Sequence, residues 1–566
     1  MPYINTLTRR DFVHRALLGG AGLGLAALSN VPPFAARALA EGNIGLNGKK
    51  LLFVFLRGGN DGLGSVVPVQ DSGYSTSIRT STLIAKDGGT DYAATPGLAD
   101  FPTSPGATAT FNYTNAIRLG NGFAALHPGL KFLAPVYNAG DLALIHRVGY
   151  PRQSRSHFDS QNYWENGLPN NNVSKEGILY RTIIESGLAG TSPLSAVSIQ
   201  SALPVLLRGS GAALTNLTDP LRYDLLGVPN STSTGDVKAT NALLSAQSTP
   251  FPDKKSRAFL SLQYDGLLKT LSIFSGINFT ETGNTYVDNE NTDGGANPYY
   301  LFPTSQAKNG GYAFNGNSTA KYVVDQSGTA NAFFANLKAA ALILNHTDAV
   351  IAGTELGGFD THDNQGGATG AHASLQQRIG WALYGLRKYF QIYGRLGSAP
   401  SSGAKCSWND VVVVLLTEFG RTTIQNTSGG TDHAEAGVMW LAGGGVKGYG
   451  KSGRVTGVVA CHPGGAGAHP SDSVAWVPGP ANQAGGVDGT MFGVSDRYLK
   501  RSVDYRSVLG KVIRDHLGAT QNQLGRIIPG YANEAQEHLL AGGTVTAPVE
   551  STGVSTPIIG EPDVLV

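Results

Sequence analysis

The sequence has few cysteines, few charged residues and no excess of charge of either sign. Only 2 of its 566 residues are cysteine, and charged residues make up 14%. Two cysteines without Cys-x-x-Cys spacing exclude a disulfide-rich scaffold and argue against a thiolate zinc cage. The 42 Lys+Arg residues nearly balance the 40 Asp+Glu residues. This balance excludes a nucleic-acid binder that relies on strong general basicity.

Glycine and apolar residues are abundant by contrast. The chain has 76 glycines, 21 Phe and 22 Tyr, and 41% of its residues are hydrophobic. Such a composition supports a packed core and excludes a disordered or collagen-like chain. The length predicts one large domain with insertions, or two domains.

The first forty residues have the three parts of an export signal in order. The motif TRRDF at 8–12 is followed by an apolar, Gly/Ala-rich run at 16–28 and by Ala-Leu-Ala at 38–40. The paired arginines are typical of the twin-arginine signal, which the export machinery reads. A transmembrane anchor is the alternative, but the run is short and glycine-rich for a span. We therefore predict a periplasmic or extracellular protein.

Removal of residues 1–40 takes away four arginines and one aspartate, so the net charge changes from +2 to −1. No later stretch is long and apolar enough to span a bilayer, so no stable membrane insertion is expected. An oxidising compartment would permit a disulfide between Cys406 and Cys461, but the sequence leaves open whether they lie close enough.

Apolar runs and helical periodicity alternate along much of the chain. This order predicts an α/β fold with a central, mainly parallel sheet and right-handed crossovers. We predict strands at 49–56, 141–148, 349–354 and 410–416. We predict helices at 127–137, 154–164, 255–274, 330–345, 372–393 and 504–517.

Residues 166–330 lack this rhythm, and we predict that they form a large insertion that caps a site. The main domain is predicted to span 45–535, with a C-terminal tail at 536–566.

Polar side chains that suit catalysis or metal binding follow the four predicted strands. In an open parallel sheet, ligands bind beyond the carboxyl ends of the strands. These positions hold Asp61, Ser154, Ser156, His157, Asp360, His362, Glu418 and Arg421, with Asp432 and His433 shortly after.

Each of these residues also has a local structural explanation, as a turn, a helix cap or a salt bridge. Together they favour a metal site, because divalent cations are bound by mixed Asp, Glu and His ligands. The predicted ligands are Asp61, Asp360, His362, Glu418, Asp432 and His433, around one or two divalent ions, with Zn, Mn, Mg and Ca left open.

Seven motifs in order make the chain resemble the exported bacterial domain-of-unknown-function family 1501. They are TRRDF (8–12), FLRGGNDGL (55–63), HPGL (127–130), SRSHFDSQNYWENG (154–167), GGFDTHDNQ (357–365), TEFGRT (417–422) and GTDHAEAG (430–437).

The resemblance implies an alkaline-phosphatase-like sandwich with helices on both faces of the sheet. It implies that Asp61, Asp360, His362 and His433 are metal ligands and that Ser156 is the nucleophile, with Ser154 as its rival. His157 would be an acid, a base or an orienting group, and Arg155 or Arg421 would hold substrate oxygens.

The resemblance also implies membership of the alkaline phosphatase and sulfatase superfamily, and three features of the sequence depart from the pattern of that superfamily. Glu418 stands where Asp-His is usual, and the Asp360–His362 spacing is tighter than usual. The Cys-x-Pro-Ser-Arg motif is missing, which argues against a formylglycine-dependent sulfatase.

Two functions are therefore expected. One is a metal-dependent hydrolase of small-molecule or polymer phosphate or sulfate esters. The other is a non-catalytic binding or surface-assembly protein on the same fold.

Overall fold

A large mixed sheet forms the centre of the computed structural model. The structure describes residues 44–86, 115–119, 122–190, 194–212, 214–219, 270, 273–274, 276–279, 286–292, 298–303, 328–454, 456–462, 490–492, 497–499, 501–531, 544–546 and 557–566. The predicted export signal and most of the predicted helix at 255–274 lie outside these residues.

The longest strands lie in the middle of the large sheet. Their bounds are β1 Lys50–Leu56, β2 Val66–Val67, β3 Ile117–Arg118, β4 Ala125–Leu126, β5 Leu142–Gly149, β6 Ala196–Ile199, β7 Thr215–Leu217, β8 Val287–Thr292, β9 Pro298–Tyr300, β10 Ile351–Leu356, β11 Val411–Thr417, β12 Gly437–Ala442, β13 Val458–Val459, β14 Val503–Asp504, β15 Thr544–Thr546 and β16 Pro557–Ile559.

Helices follow or precede most of these strands. Their bounds are α1 Gly62–Ser65, α2 Leu133–Asn138, α3 His157–Asn166, α4 Ile178–Glu185, α5 Gly328–His346, α6 Ala371–Tyr393, α7 Tyr505–Lys511 and α8 Gln521–Ile527. Among the described residues, no helix has both the length and the hydropathy that a membrane crossing requires.

The strand order of the large sheet is β15-β16-β14-β5-β12-β11-β1-β10-β6-β7, with β13 beside β5. Parallel pairing joins β11, β1, β10, β6 and β7. Strand β12 is antiparallel to both of its neighbours, β11 and β5. The predicted mainly parallel sheet is thus confirmed, with β12 and β15 as reversed strands.

Both faces of the sheet are buried. Side chains alternate along each strand, so successive apolar residues pack on opposite faces. From β1, Leu52, Val54 and Leu56 pack in a core with α2, α5 and α6. Leu51, Phe53 and Phe55 pack in a second core with α3, α4, α7 and α8. Helices therefore cover both faces, as expected from the continuous apolar runs.

The structure differs from the predicted insertion at 166–330. Strand β6 pairs with β10, and β7 pairs with β6, so part of this stretch extends the main sheet. These strands have four and three residues, which is too short to show as a clear apolar run in the sequence. The hairpin of β8 and β9 forms a separate small sheet.

The predicted C-terminal tail also joins the sheet where it is described. Strand β16 pairs with β14 and β15, and Val564 is fully buried. Cys406 and Cys461 are both buried, and no disulfide joins them. Burial raises the pKa of the Cys406 thiol to about 12.

The close packing of β10 on β1 gives a prediction for Gly353. A Cβ atom at this position would lie 2.4 Å from the ring and from the carbonyl oxygen of Phe53. Gly353→Ala should therefore lower the free energy of unfolding by about 1–3 kcal/mol, the usual range for overpacking. Urea denaturation measures the change.

Gly357→Ala is the matched control, because nothing lies within 4 Å of its Cβ position. A change within about 0.5 kcal/mol is expected there. Equal effects of the two substitutions would contradict this account of the strand packing.

Candidate metal centre

The carboxyl ends of three neighbouring parallel strands define the edge that carries the site. Leu56, the last residue of β1, pairs with Leu356 of β10 and with Thr417 of β11. The loops that follow these strands therefore leave the sheet side by side. They deliver Gly58 and Asp61, then Asp360 and His362, and then Glu418 and Arg421.

The reversed strand β12 brings a fourth segment to the same edge. Since β12 is antiparallel, its first residue, Gly437, pairs with Val148 near the end of β5. The residues before β12, including Asp432 and His433, thus lie where the parallel strands end. After β5, the chain turns into α3, whose first residue is His157.

Three imidazoles surround the carboxylate of Asp360. Its Oδ1 lies 3.1 Å from Nε2 of His362 and 3.1 Å from Nε2 of His433. Its Oδ2 lies 3.4 Å from Nε2 of His157. The Nε2 atoms of His362 and His433 are 2.9 Å apart. We call these four residues the histidine cluster.

An acceptor fixes the Nδ1 atom of each imidazole. Nδ1 of His157 lies 3.0 Å from Oε1 of Glu418, and Nδ1 of His362 lies 3.1 Å from Oδ1 of Asp432. Nδ1 of His433 lies 2.9 Å from the carbonyl oxygen of Arg155. A carbonyl or an ionised carboxylate only accepts hydrogen bonds. A proton on Nδ1 would leave the inward-facing Nε2 of each ring free to bind a cation, whereas Nε2 of His433 can donate to Asp360 when no cation is bound.

With the proton on Nδ1, the inward-facing atoms are good metal donors. Two Nε2 lone pairs 2.9 Å apart repel each other unless a proton or a cation lies between them. Metal bonds of about 2.0–2.1 Å place neighbouring ligand atoms about 2.9–3.4 Å apart. The distances of 2.9, 3.1 and 3.4 Å within the histidine cluster fall in this range. The donor set thus fits a divalent cation.

The carboxylates that hold Nδ1 are kept ionised by other hydrogen bonds. Burial opposes ionisation of Glu418, but hydrogen bonds from His157 and Gln161 lower its pKa below the usual value. Burial also opposes ionisation of Asp432, yet hydrogen bonds from Asn426 and His362 lower the pKa of that group. Such carboxylate–histidine pairs orient ligands in metal sites and raise their basicity.

Hydrogen bonding and burial also shift the pKa values of two of the imidazoles. The hydrogen bond with Glu418 raises the pKa of His157, while burial lowers that of His433. Nε2 of His157 is buried and has no hydrogen-bond partner.

A hydrogen bond from Arg421 fixes the carboxylate of Asp360. The buried guanidinium of Arg421 donates to Oδ1 of Asp360 at 2.6 Å. Its other donors bind backbone carbonyl oxygens of three loops, those of Gly58, Gly59, Phe359 and Thr431. Burial opposes ionisation of Asp360, but the hydrogen bonds from Arg421 and His433 lower its pKa to about 2.

The histidine cluster opens to solvent on one side. The side chains of His157 and His433 are 26% and 25% exposed, and that of Asp360 is 45% exposed. On the inner side, the ring of Phe419 lies 4.9 Å from the ring of His157 and 4.6 Å from that of His433. The cluster is therefore accessible from the solvent side.

The predicted nucleophile lies next to the cluster in sequence. Ser156 is the N-cap of α3, and its Oγ accepts a long hydrogen bond of 3.4 Å from the N–H of Asp159. Oγ of Ser154 accepts from the N–H of Ser156 and so supports the turn. The guanidinium of Arg155 lies 4.1 Å from the ring centre of Tyr498.

Asp61 lies in a separate buried cluster. Arg79 donates to both of its carboxylate oxygens, at 2.6 and 3.1 Å. Gln365 donates to Oδ2 at 2.8 Å. The structure thus brings Asp360, His362 and His433 together with His157, places Glu418 and Asp432 behind them, and leaves Asp61 in an ion pair.

Several supporting residues were not predicted as site residues from the sequence. Arg79 lies in a Ser/Thr-rich stretch without periodicity, and Gln365 and Asn426 lie in irregular loops. Gln365 links Asp61 to the loops that carry the histidine cluster, because its Oε1 accepts from the hydroxyls of Thr361 and Thr431. Among these residues, only Gln365 lies within a motif that we identified from the sequence.

Fold and site define a mixed α/β protein with a histidine–carboxylate centre at the sheet edge. Residues 312–463 match the model of a family described as Protein of unknown function (DUF1501). This match supports the resemblance to that family. It includes Asp360, His362, Glu418, Arg421 and His433, whereas Asp61 and His157 lie outside it. Comparisons with curated proteins and with solved structures found no match.

The Asp61–Arg79 pair gives a stability prediction. Asp61→Asn would leave the Arg79 guanidinium buried without its counter-charge, so the free energy of unfolding should fall by about 3–5 kcal/mol. Asp348→Asn is the matched control, because Asp348 pairs with Lys405 at an exposed site. A loss of at most about 1 kcal/mol is expected there.

The stability difference between wild type and Asp61→Asn should depend on pH. Burial raises the pKa of Asp61, but Arg79 outweighs it and the net pKa lies well below the usual value. The stabilisation is therefore complete above about pH 4, the pKa in the unfolded chain, and is lost as pH falls. Urea denaturation from pH 7 to pH 3 should show the difference narrowing, and a constant difference would contradict the account.

Proposed function

We propose that the chain is a metal-dependent hydrolase of phosphate or sulfate esters with an alkaline-phosphatase-like arrangement. The observation that carries this proposal is the set of three Nε2 atoms directed at Asp360. Each is fixed by an acceptor at Nδ1, as expected for metal-binding imidazoles.

The metal ligands in this proposal are His157, Asp360, His433 and His362. The donor atoms of the first three all lie within 4.8 Å of one another. A bound divalent ion would neutralise charge on an ester oxygen and favour ionisation of a nearby hydroxyl. Imidazole and carboxylate donors suit Zn²⁺, while Mn²⁺, Mg²⁺ and Ca²⁺ stay open.

Ser156 is the proposed nucleophile. Its hydroxyl directly precedes His157 and lies at the N-terminus of α3, where backbone N–H groups favour negative charge. Oγ would bond to the phosphorus or sulfur atom, and the bond to the alcohol would break. The alcohol would take up one proton, matching the one lost by Oγ. Water would then cleave the new ester and restore the hydroxyl.

Arg155 is the better of the two predicted oxyanion-binding residues. The N–H groups of Arg421 bind carbonyl oxygens and Asp360. Arg421 therefore positions the proposed metal ligand Asp360 and does not bind the substrate. Arg155 is exposed, and its guanidinium rests on Tyr498. It can therefore turn towards an anionic ester group.

The proposal includes export by the twin-arginine route and a location outside the cytoplasm. The sequence features of residues 1–40 support it. The second candidate, a non-catalytic binding protein, is favoured by two highly exposed apolar side chains near the site. Phe158 is 89% exposed and Val173 is 88% exposed.

The metal site is tested by elemental analysis of the purified protein. We expect about one divalent ion per chain in the wild type and at least a tenfold loss of affinity in His433→Ala, because one of the inward-facing donors is removed. His346→Ala is the matched control, since His346 ends α5 and lies outside the histidine cluster. If the wild-type protein stays metal-free after incubation with each of the four ions, the proposed metal site is wrong.

Turnover separates the hydrolase from the binding protein. The metal-loaded protein should release phosphate or sulfate from 4-nitrophenyl esters, and Ser156→Ala should lower kcat at least a hundredfold while metal content stays constant. Ser154→Ala should retain activity within about a factor of ten, because Ser154 supports the turn only. Turnover that survives in Ser156→Ala would exclude Ser156 as the nucleophile. A metal-loaded wild type without any turnover would favour the binding protein.

A further inference from the structure

A polar pocket lies along α3, next to the histidine cluster. Phe158, Gln161, Asn162 and Glu165 line it. Their spacing places them on one face of the helix, since residues three and four apart are neighbours. The cavity volume is about 420 Å³, within the range of about 300–1,000 Å³ typical of small-molecule sites.

The pocket is lined mainly by amides and charged groups. Besides the residues of α3, its walls include Asp159, Asn172, Lys175 and Val205. The carboxylates of Asp159 and Glu165 already accept hydrogen bonds within the chain. The side-chain oxygens of Gln161 and Asn162 can accept from a ligand, and the ammonium of Lys175 can donate to it. The lining therefore suits a ligand that donates and accepts hydrogen bonds at several points.

Phe158 adds one flat apolar surface to this polar lining. Its side chain is 89% exposed although it follows His157 directly. An aromatic ring in water at this position contributes nothing to the core, and it offers a face on which a ligand can stack.

Gln161 connects the pocket to the proposed metal ligands. Its Nε2 donates to Oε1 of Glu418 at 3.0 Å, and the same oxygen is 3.0 Å from Nδ1 of His157. A group bound at the histidine cluster would thus have the pocket as its neighbour along α3.

We propose that this pocket binds the alcohol part of the ester and that this alcohol is a sugar, an inference that rests on the proposed hydrolase. A sugar ring carries neighbouring hydroxyls that donate and accept, together with a C–H face that packs on an aromatic ring. An alkyl chain would offer no hydrogen bond to the side-chain oxygens of Gln161 and Asn162 or to the ammonium of Lys175. A second anionic group would face the carboxylates of Asp159 and Glu165.

Substrate preference tests the pocket. Glucose 6-phosphate and glucose 6-sulfate are compared with ethyl phosphate and ethyl sulfate, whose alcohol is too small to fill the pocket. We expect kcat/KM at least tenfold higher for the sugar esters than for the ethyl esters, and we expect Phe158→Ala to lose this preference. Leu396→Ala is the matched control, because Leu396 is also an exposed apolar residue and does not line the pocket.

A binding experiment tests whether the pocket binds sugars even if the protein hydrolyses no ester. His433→Ala protein, whose metal site is disabled, is applied to a panel of immobilised neutral and sulfated oligosaccharides. Binding that the additional Phe158→Ala substitution removes supports the pocket, even if the hydrolase proposal fails. Hydrolysis of ethyl and sugar esters at equal rates, with no binding that depends on Phe158, would overturn the pocket and leave the hydrolase intact.

Discussion

The site depends on the hydrogen bonds that the buried guanidinium of Arg421 donates. A cation inside a protein must have its donors satisfied, and here the partners come from the ends of separate strands. Gly58 and Gly59 follow β1, Phe359 and Asp360 follow β10, and Thr431 precedes β12. One side chain thus fixes three loops relative to one another and sets the position of Asp360 between the imidazoles.

The Asp61–Arg79 ion pair supports the same loops from the interior. Arg79 also donates to the carbonyl oxygens of Thr422 and Thr423. Gln365 joins Asp61 to the hydroxyls of two threonines near the histidine cluster. A substitution at Asp61 therefore reaches the site through these hydrogen bonds, although Asp61 is not one of the converging donors.

Long apolar runs made the centre of the fold predictable. Strands β1, β5, β10 and β11 are buried almost throughout, so their sequences are mostly apolar, and the site residues follow their ends. The edge strands were not predictable, because two to four residues carry no periodicity. Arg79 could not be found either, since its partner is fixed only by tertiary structure. His157 was expected as a catalytic or orienting group, and its place among the donors depends on how α3 packs against Glu418.

The proposed hydrolase requires a divalent ion bound by the inward-facing Nε2 atoms of the histidine cluster. Anomalous diffraction from crystals of the metal-loaded protein would locate this ion. We expect one peak within about 2.0–2.3 Å of Nε2 of His157, Nε2 of His433 and a carboxylate oxygen of Asp360. A peak elsewhere on the chain, or direct contact between these side chains with no ion after metal loading, would contradict it.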